Sequence, residues 1–124
     1  MTVYFFNRQP GMFLASLTNK KEVFHLLKAA FIFVAPGADP ERHRTVVKTP
    51  AVELTVVGVK DYGEAEETVK NLVAAGTGAI ELCGGFGHAG AARIARVAGE
   101  DVPVGVVRFD THPGLGGKSG DGMF

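Results

Sequence analysis

Residues 79–94 read AIELCGGFGHAGAARI, and the order of residue types in that stretch decides the fold. Ala79–Cys83 is a short apolar run closed by glycine, the length of a strand. Gly84, Gly85, Phe86 and Gly87 follow as a turn. From His88 onward the pattern is helical, with Ile94, Ala95 and Ala98 on one face and Gly99 as the stop. A strand that passes through glycines into a helix is the repeating unit of a parallel α/β sheet.

The same rhythm runs outward on both sides. AAFIFVA (29–35) is a continuous apolar run that ends at Pro36-Gly37, as expected of a strand in a sheet covered on both faces. Asp39-Pro40 predicts the start of a short helix, because the aspartate takes free amides and proline suits the first helical position. AVELTVVGV (51–59) is a second strand. Asp61 with Glu64 three residues later forms a capping-box-like helix start. Tyr62, Ala65, Val69, Leu72 and Val73 then share one face, and Gly76 ends the helix. VPVGVVRF (102–109) is the fourth strand, and Pro103 near its start marks it as an edge strand.

The pattern predicts β-α-β-α-β-α-β with a four-stranded, mainly parallel sheet. Parallel crossovers are right-handed, so strands paired in sequence order would place every helix on one face and leave the other bare. Two arrangements avoid that. One is a doubly wound, flavodoxin-like order 2-1-3-4 with helices on both faces, and this is the preferred expectation. The other is a part-barrel completed by another copy of the chain. In the doubly wound order the loops at 35–41 and 83–88 meet at the carboxyl ends of the strands, and the tail DTHPGLGGKSGD (110–121) joins them.

Composition bounds the possibilities. A chain of 124 residues is about one domain, and 46% apolar residues suffice for one core. Thirteen basic and thirteen acidic residues give zero net charge, which argues against a nucleic-acid partner. A near-neutral surface does not oppose self-association, so a homo-oligomer is expected. Cys83 is the only cysteine, which excludes an intramolecular disulfide and fits a reducing, cytoplasmic location. No segment has the length and apolarity of a membrane span, and residues 1–27 lack the order of a signal peptide.

Residues 1–27 stand apart from the α/β rhythm. Four of the nine phenylalanines fall there: Phe5, Phe6, Phe13 and Phe24. Two readings remain open. Thr18 to Leu27 is a helix leading into the first strand, or translation begins near Leu27 and the preceding segment is not native. Residues 28–124 form the domain in either case.

Several stretches carry a resemblance. KAAFIFVAPGADPERHRTV, ELTVVGV, AIELCGGFGHAGAARI, VPVGVVRFD and HPGLGGKSGD together resemble a small prokaryotic family known as domain of unknown function 6506. The resemblance covers most of residues 28–124. It implies no reaction and no ligand.

The residues themselves point to a site at the strand ends. Gly84, Gly85, Phe86 and Gly87 precede a helix, whose free amides attract an anion. The competing reading is a tight turn without a ligand. Arg108 can hold a carboxylate or phosphate through its forked donors, or pair with Glu81 across neighbouring strands. Asp110 and His112 pair a carboxylate with an imidazole, the arrangement that orients a general base, and they are the candidate catalytic residues. Two such groups are too few for a zinc site, so no metal is assigned. HPGLGGKS (112–119) lacks the first glycine of a nucleotide-binding P-loop and the helix that must follow it. Successive amides of Gly114–Gly117 can instead form an anion-binding concavity to which Lys118 adds charge, with Gly116, Gly117, Lys118 and Ser119 as the candidate ligand-binding residues. Cys83 reads as a small buried apolar group rather than a nucleophile.

These features predict a small protein that binds a phosphorylated or carboxylated metabolite at the carboxyl ends of its strands. No cofactor is assigned. The alternative is a non-enzymatic assembly module in which the tail and the N-terminal aromatics build a homo-oligomer.

Overall fold

The computed structural model describes residues 26–109 and 112–124. The expectations for residues 1–25 and for Asp110 lie outside that range. The described elements run β1 (Leu27–Val34), β2 (Arg44–Lys48), β3 (Val52–Val59), α1 (Tyr62–Ala74), β4 (Ala79–Leu82), α2 (His88–Ala98) and β5 (Val104–Val106). Short 3-10 turns cover Pro113–Leu115 and Gly120–Gly122.

The strands form one five-stranded sheet in the order β2-β3-β1-β4-β5. β1 is central and pairs in parallel with β3 and β4, setting Ile32 beside Val57 and Leu82. β4 pairs in parallel with β5, which is an edge strand. β2 pairs antiparallel with β3 at the other edge. The α/β class expected from the sequence is present, but the flavodoxin-like, doubly wound four-stranded arrangement is not.

The difference begins after Asp39-Pro40. The expected short helix is a single turn, in which Asp39 Oδ1 accepts from the Glu41 amide at 2.9 Å and the Asp39 amide donates to His43 Nδ1 at 2.9 Å. The chain then extends as β2, because Arg44-Thr45-Val46-Val47 is rich in β-branched residues. A turn at Thr49 reverses it: the Thr49 hydroxyl oxygen accepts from the amides of Ala51 at 3.2 Å and Val52 at 2.9 Å. The crossover expected to carry a helix is therefore a hairpin arm. Lys48 pairs with Glu53 across it at 3.4 Å, so Glu53 has a partner on the edge.

Both helices cover the same face. The crossovers from β3 to β4 and from β4 to β5 step in one direction, and right-handed connections then place α1 and α2 side by side. Strand alternation sends Ala30, Ile32, Val34, Val57, Val59, Ile80 and Leu82 to that face, and all are buried. Ala65, Val69 and Leu72 of α1 and Ile94 and Ala98 of α2 complete the core. Ala95, expected inward, is exposed. α1 starts as the sequence predicts: Asp61 Oδ1 accepts from the Glu64 amide at 2.8 Å, while Glu64 Oε1 accepts from the Lys60 amide at 2.8 Å.

The other face carries Phe31, Phe33, Leu54 and Val56, all partly exposed, and no described helix lies over it. Among the described residues no helix is long and apolar enough to cross a membrane.

The asymmetry of the sheet has a direct consequence for stability. Ile32→Ala removes a fully buried side chain from the helix-covered face and is expected to lower unfolding free energy by about 2–5 kcal/mol. Val47→Ala, on an exposed edge strand, is expected to change it by less than about 0.5 kcal/mol. Urea unfolding of the two variants measures both.

Candidate functional site

The turn between β4 and α2 is held by its own atoms. The Cys83 amide donates to Ile32 O at 3.0 Å, and the Phe86 amide donates to Cys83 O at 3.1 Å. Cys83 Sγ accepts from the Gly85 amide at 3.2 Å, and the side chain packs on the core, in keeping with a structural thiol. Phe86 is buried and stacks on Tyr62 with ring centroids 5.4 Å apart and planes 11° from parallel. It is a packing residue that also forms the wall of a cleft.

The tail folds back onto this turn. Asp121 places its carboxylate at the first turn of α2, where Oδ2 accepts from the Ala89 amide at 2.9 Å and Oδ1 from the Gly90 amide at 3.0 Å. The Tyr62 hydroxyl donates to Asp121 Oδ1 at 2.9 Å and accepts from the Gly87 amide at 2.9 Å. The amides that the sequence offers to an external anion are thus occupied by a carboxylate and a phenol of the same chain. The arrangement is an N-cap supplied from 31 and 32 residues away in place of the usual neighbouring residue.

Two glycines make the contact close enough. A Cβ on Gly87 would lie 2.4 Å from atoms of Asp121 and Ser119. A Cβ on Gly90 would lie 2.3 Å from the Tyr62 ring. The glycines of this segment let the chain's own tail and tyrosine approach the helix, a role that sequence alone does not separate from ligand approach.

The electrostatics follow the geometry. Burial pushes the Asp121 carboxyl upward. The Ala89 and Gly90 amides, the Tyr62 hydroxyl and the charge of His88 outweigh it and hold the group below its ordinary value. Burial pushes the Tyr62 phenol up to about 12; the Gly87 amide opposes the rise and the Asp121 carboxylate adds to it. Arg93 braces the same corner, donating to Glu66 at 2.9 and 3.0 Å and placing its guanidinium 5.6 Å from the Tyr62 ring centre. That ion pair links α2 to α1 and holds the Glu66 carboxyl below its usual range.

The remaining tail amides close on themselves. The Gly117 amide donates to His112 O at 3.0 Å and the Lys118 amide to Leu115 O at 3.2 Å. Gly116 adopts a left-handed conformation at the end of the first 3-10 turn. These residues form a turn and not a concavity of outward amides. His112 Nδ1 accepts from the Gly114 amide at 3.0 Å, which caps the 3-10 turn that follows it. Its ring lies 4.6 Å from that of Phe109, which in turn covers Gly84. The Asp110 half of the expected catalytic pair lies outside the described residues.

A cleft of about 180 Å³ opens between the start of α2 and the end of β5. Phe86 and Val106 form its apolar wall, and His88, Arg108, Ser119 and Asp121 line it with polar groups. Of the residues expected at a site, Phe86, Gly87, Arg108 and Ser119 meet here. Gly116 and Lys118 line a separate depression beside Leu115 and Met123, which shares only Ser119 with the cleft. Arg108 does not form the expected ion pair with Glu81. Glu81 is exposed on β4 with Gly105 as its partner in register.

Sequence reasoning assigned no role to Tyr62 beyond the core and none to Asp121, and it considered His88 only as a third metal ligand beside Asp110 and His112. A carboxylate two residues after Ser119, in a stretch with few other side chains, is the signal available for Asp121. Nothing local marks its partner helix.

Among the described residues, fold and site together define an α/β protein with a five-stranded mixed sheet, two helices on the same face, and a tail that closes the start of the second helix. The chain belongs to the family of unknown function DUF6506, whose profile matches residues 27–122. No curated protein and no solved structure matches the chain.

The Tyr62–Asp121 network sets two expectations. Asp121→Ala is expected to cost about 1–2 kcal/mol, the value of a charged cap, whereas Asp101→Ala stays within about 0.5 kcal/mol. The folded phenol titrates higher than the unfolded one, so its contribution is complete below pH 10 and is lost as pH rises toward 12. Thermal unfolding across that window is expected to fall more steeply for the wild type than for Tyr62→Phe, which lacks the titrating group.

Proposed function

We propose that the chain binds a small phosphorylated or carboxylated metabolite in the cleft between α2 and β5. The observation that supports this reading is the convergence of the second helix, the last strand and the tail on one cleft of about 180 Å³ with a mixed lining. Arg108 supplies a forked cation, His88 a titratable ring and Ser119 a hydroxyl, against the apolar wall of Phe86 and Val106. The ligand occupies the cleft and not the helix amides, because Asp121 already holds those. Asp121 does not repel an anion at full strength, since two amides, the helix end and a phenol answer its charge.

A small anion held by Arg108 stabilises the folded state by mass action, about 2.7 kcal/mol at a hundred times its dissociation constant. Thermal-shift measurements with inorganic phosphate, phosphorylated sugars and small dicarboxylates are expected to raise the Tm by several degrees for at least one compound. Arg108→Ala is expected to weaken that binding tenfold or more. A flat response to every compound, or an equal shift in Arg108→Ala, contradicts the reading.

A further inference from the structure

The carboxylate that caps α2 is not fully used by the chain. An ionised carboxyl offers about four lone pairs, two on each oxygen. Asp121 Oδ1 fills both of its own, accepting from the Gly90 amide at 3.0 Å and from the Tyr62 hydroxyl at 2.9 Å. Oδ2 accepts from the Ala89 amide at 2.9 Å and, among the described residues, from no other donor. The two oxygens also differ in setting. Gly90 and Tyr62, the partners of Oδ1, are buried, whereas Ala89 is exposed. Asp121 lines the cleft between α2 and β5, so its second acceptor site stands on the accessible oxygen of that wall. Donors line the cleft beside it. Arg108 carries its guanidinium there, and Ser119, whose Oγ accepts from the Asp121 amide at 3.1 Å, keeps a hydroxyl proton to donate.

We infer that the cleft takes a ligand with a hydroxyl beside its anionic group, that is, a small hydroxy acid or a hydroxyalkyl phosphate. The inference rests on the cleft reading proposed above. The anionic group meets Arg108 and the Ser119 hydroxyl, the carbon chain meets Phe86 and Val106, and the ligand hydroxyl donates to Asp121 Oδ2. A hydroxyl suits that oxygen better than an ammonium group does. Two amides and a phenol already answer the charge of Asp121, and Arg108 adds a cation to the same cleft, so a further positive charge gains little. An O–H···O⁻ bond keeps its charge-assisted strength. A ligand without the donor covers Oδ2 and leaves its lone pair unmet, which costs affinity. The volume of about 180 Å³ is below the roughly 300–1,000 Å³ of pockets for drug-sized ligands, which favours a chain of a few carbons over a nucleotide.

Calorimetric titration of the full chain with matched ligand pairs tests this without a substitution at Asp121. Glycolate against acetate, malate against succinate, and 2-hydroxyethyl phosphate against ethyl phosphate each differ by one hydroxyl, and the last pair separates phosphate from carboxylate recognition. In at least one pair the hydroxylated member is expected to bind about tenfold more tightly, the value of one hydrogen bond to a charged group. The Ala89 amide resonance is expected to move with that member and far less with its partner, because the hydroxyl and the amide share Oδ2. A preference below about fivefold in every pair that binds overturns the inference and leaves the cleft reading standing. A hydroxyl preference with no response at Ala89 also overturns it, by placing the hydroxyl elsewhere. Binding by no member of any pair, or binding that Arg108→Ala leaves unchanged, contradicts the cleft reading, and the inference falls with it.

Discussion

The Asp121 carboxylate at the start of α2 is the interaction around which this end of the molecule is organised. It satisfies two amides that α2 cannot satisfy itself, because Gly87 at the cap position has no side chain. It also anchors the tail, which brings Ser119 beside the helix and completes the cleft. The tyrosine that orders the carboxylate is the first residue of α1, so one network ties the tail to both helices. Without it, the segment from His112 onward would be held mainly by short 3-10 turns and the contact of Phe124 with the Tyr62 ring.

The sheet supplies the second constraint. Two crossovers that step in the same direction put both helices on one face, whatever the side chains prefer. The strand ends, the turn at residues 83–88 and the returning tail then crowd one rim. The opposite face keeps Phe31, Phe33, Val47 and Val56 with no helix among the described residues over them. Cleft and open face are therefore consequences of one topology.

Much of the architecture is legible in the residues. The apolar runs at 29–35, 51–59 and 79–83 mark the three inner strands, and Asp61 with Glu64 marks the helix start. The short helix expected after Asp39-Pro40 fails because the following residues are β-branched and extend as an edge strand. That strand is exposed throughout, so no apolar periodicity reveals it. A continuous apolar run predicts burial on both faces, yet in β1 it serves a helix layer on one side and an open apolar face on the other.

The site is less legible for a physical reason. A glycine that makes room for a ligand and one that makes room for the chain's own tail leave the same mark in a sequence. Gly87 admits Asp121 and Ser119, and Gly90 admits Tyr62. The convergence of the 83–88 turn with the final dozen residues follows from the sequence pattern. The carboxylate that fills the anion position does not, because its partner amides lie about thirty residues away.

The central claim is that Asp121 is the anion held at the start of α2. Following the Ala89 and Gly90 amide resonances by NMR as pH falls tests it most directly. The account predicts that both shift together with a midpoint below the ordinary aspartate value of 3.8, and that the transition disappears in Asp121→Asn. Amides that do not respond to acid, or that respond identically in the variant, would contradict it.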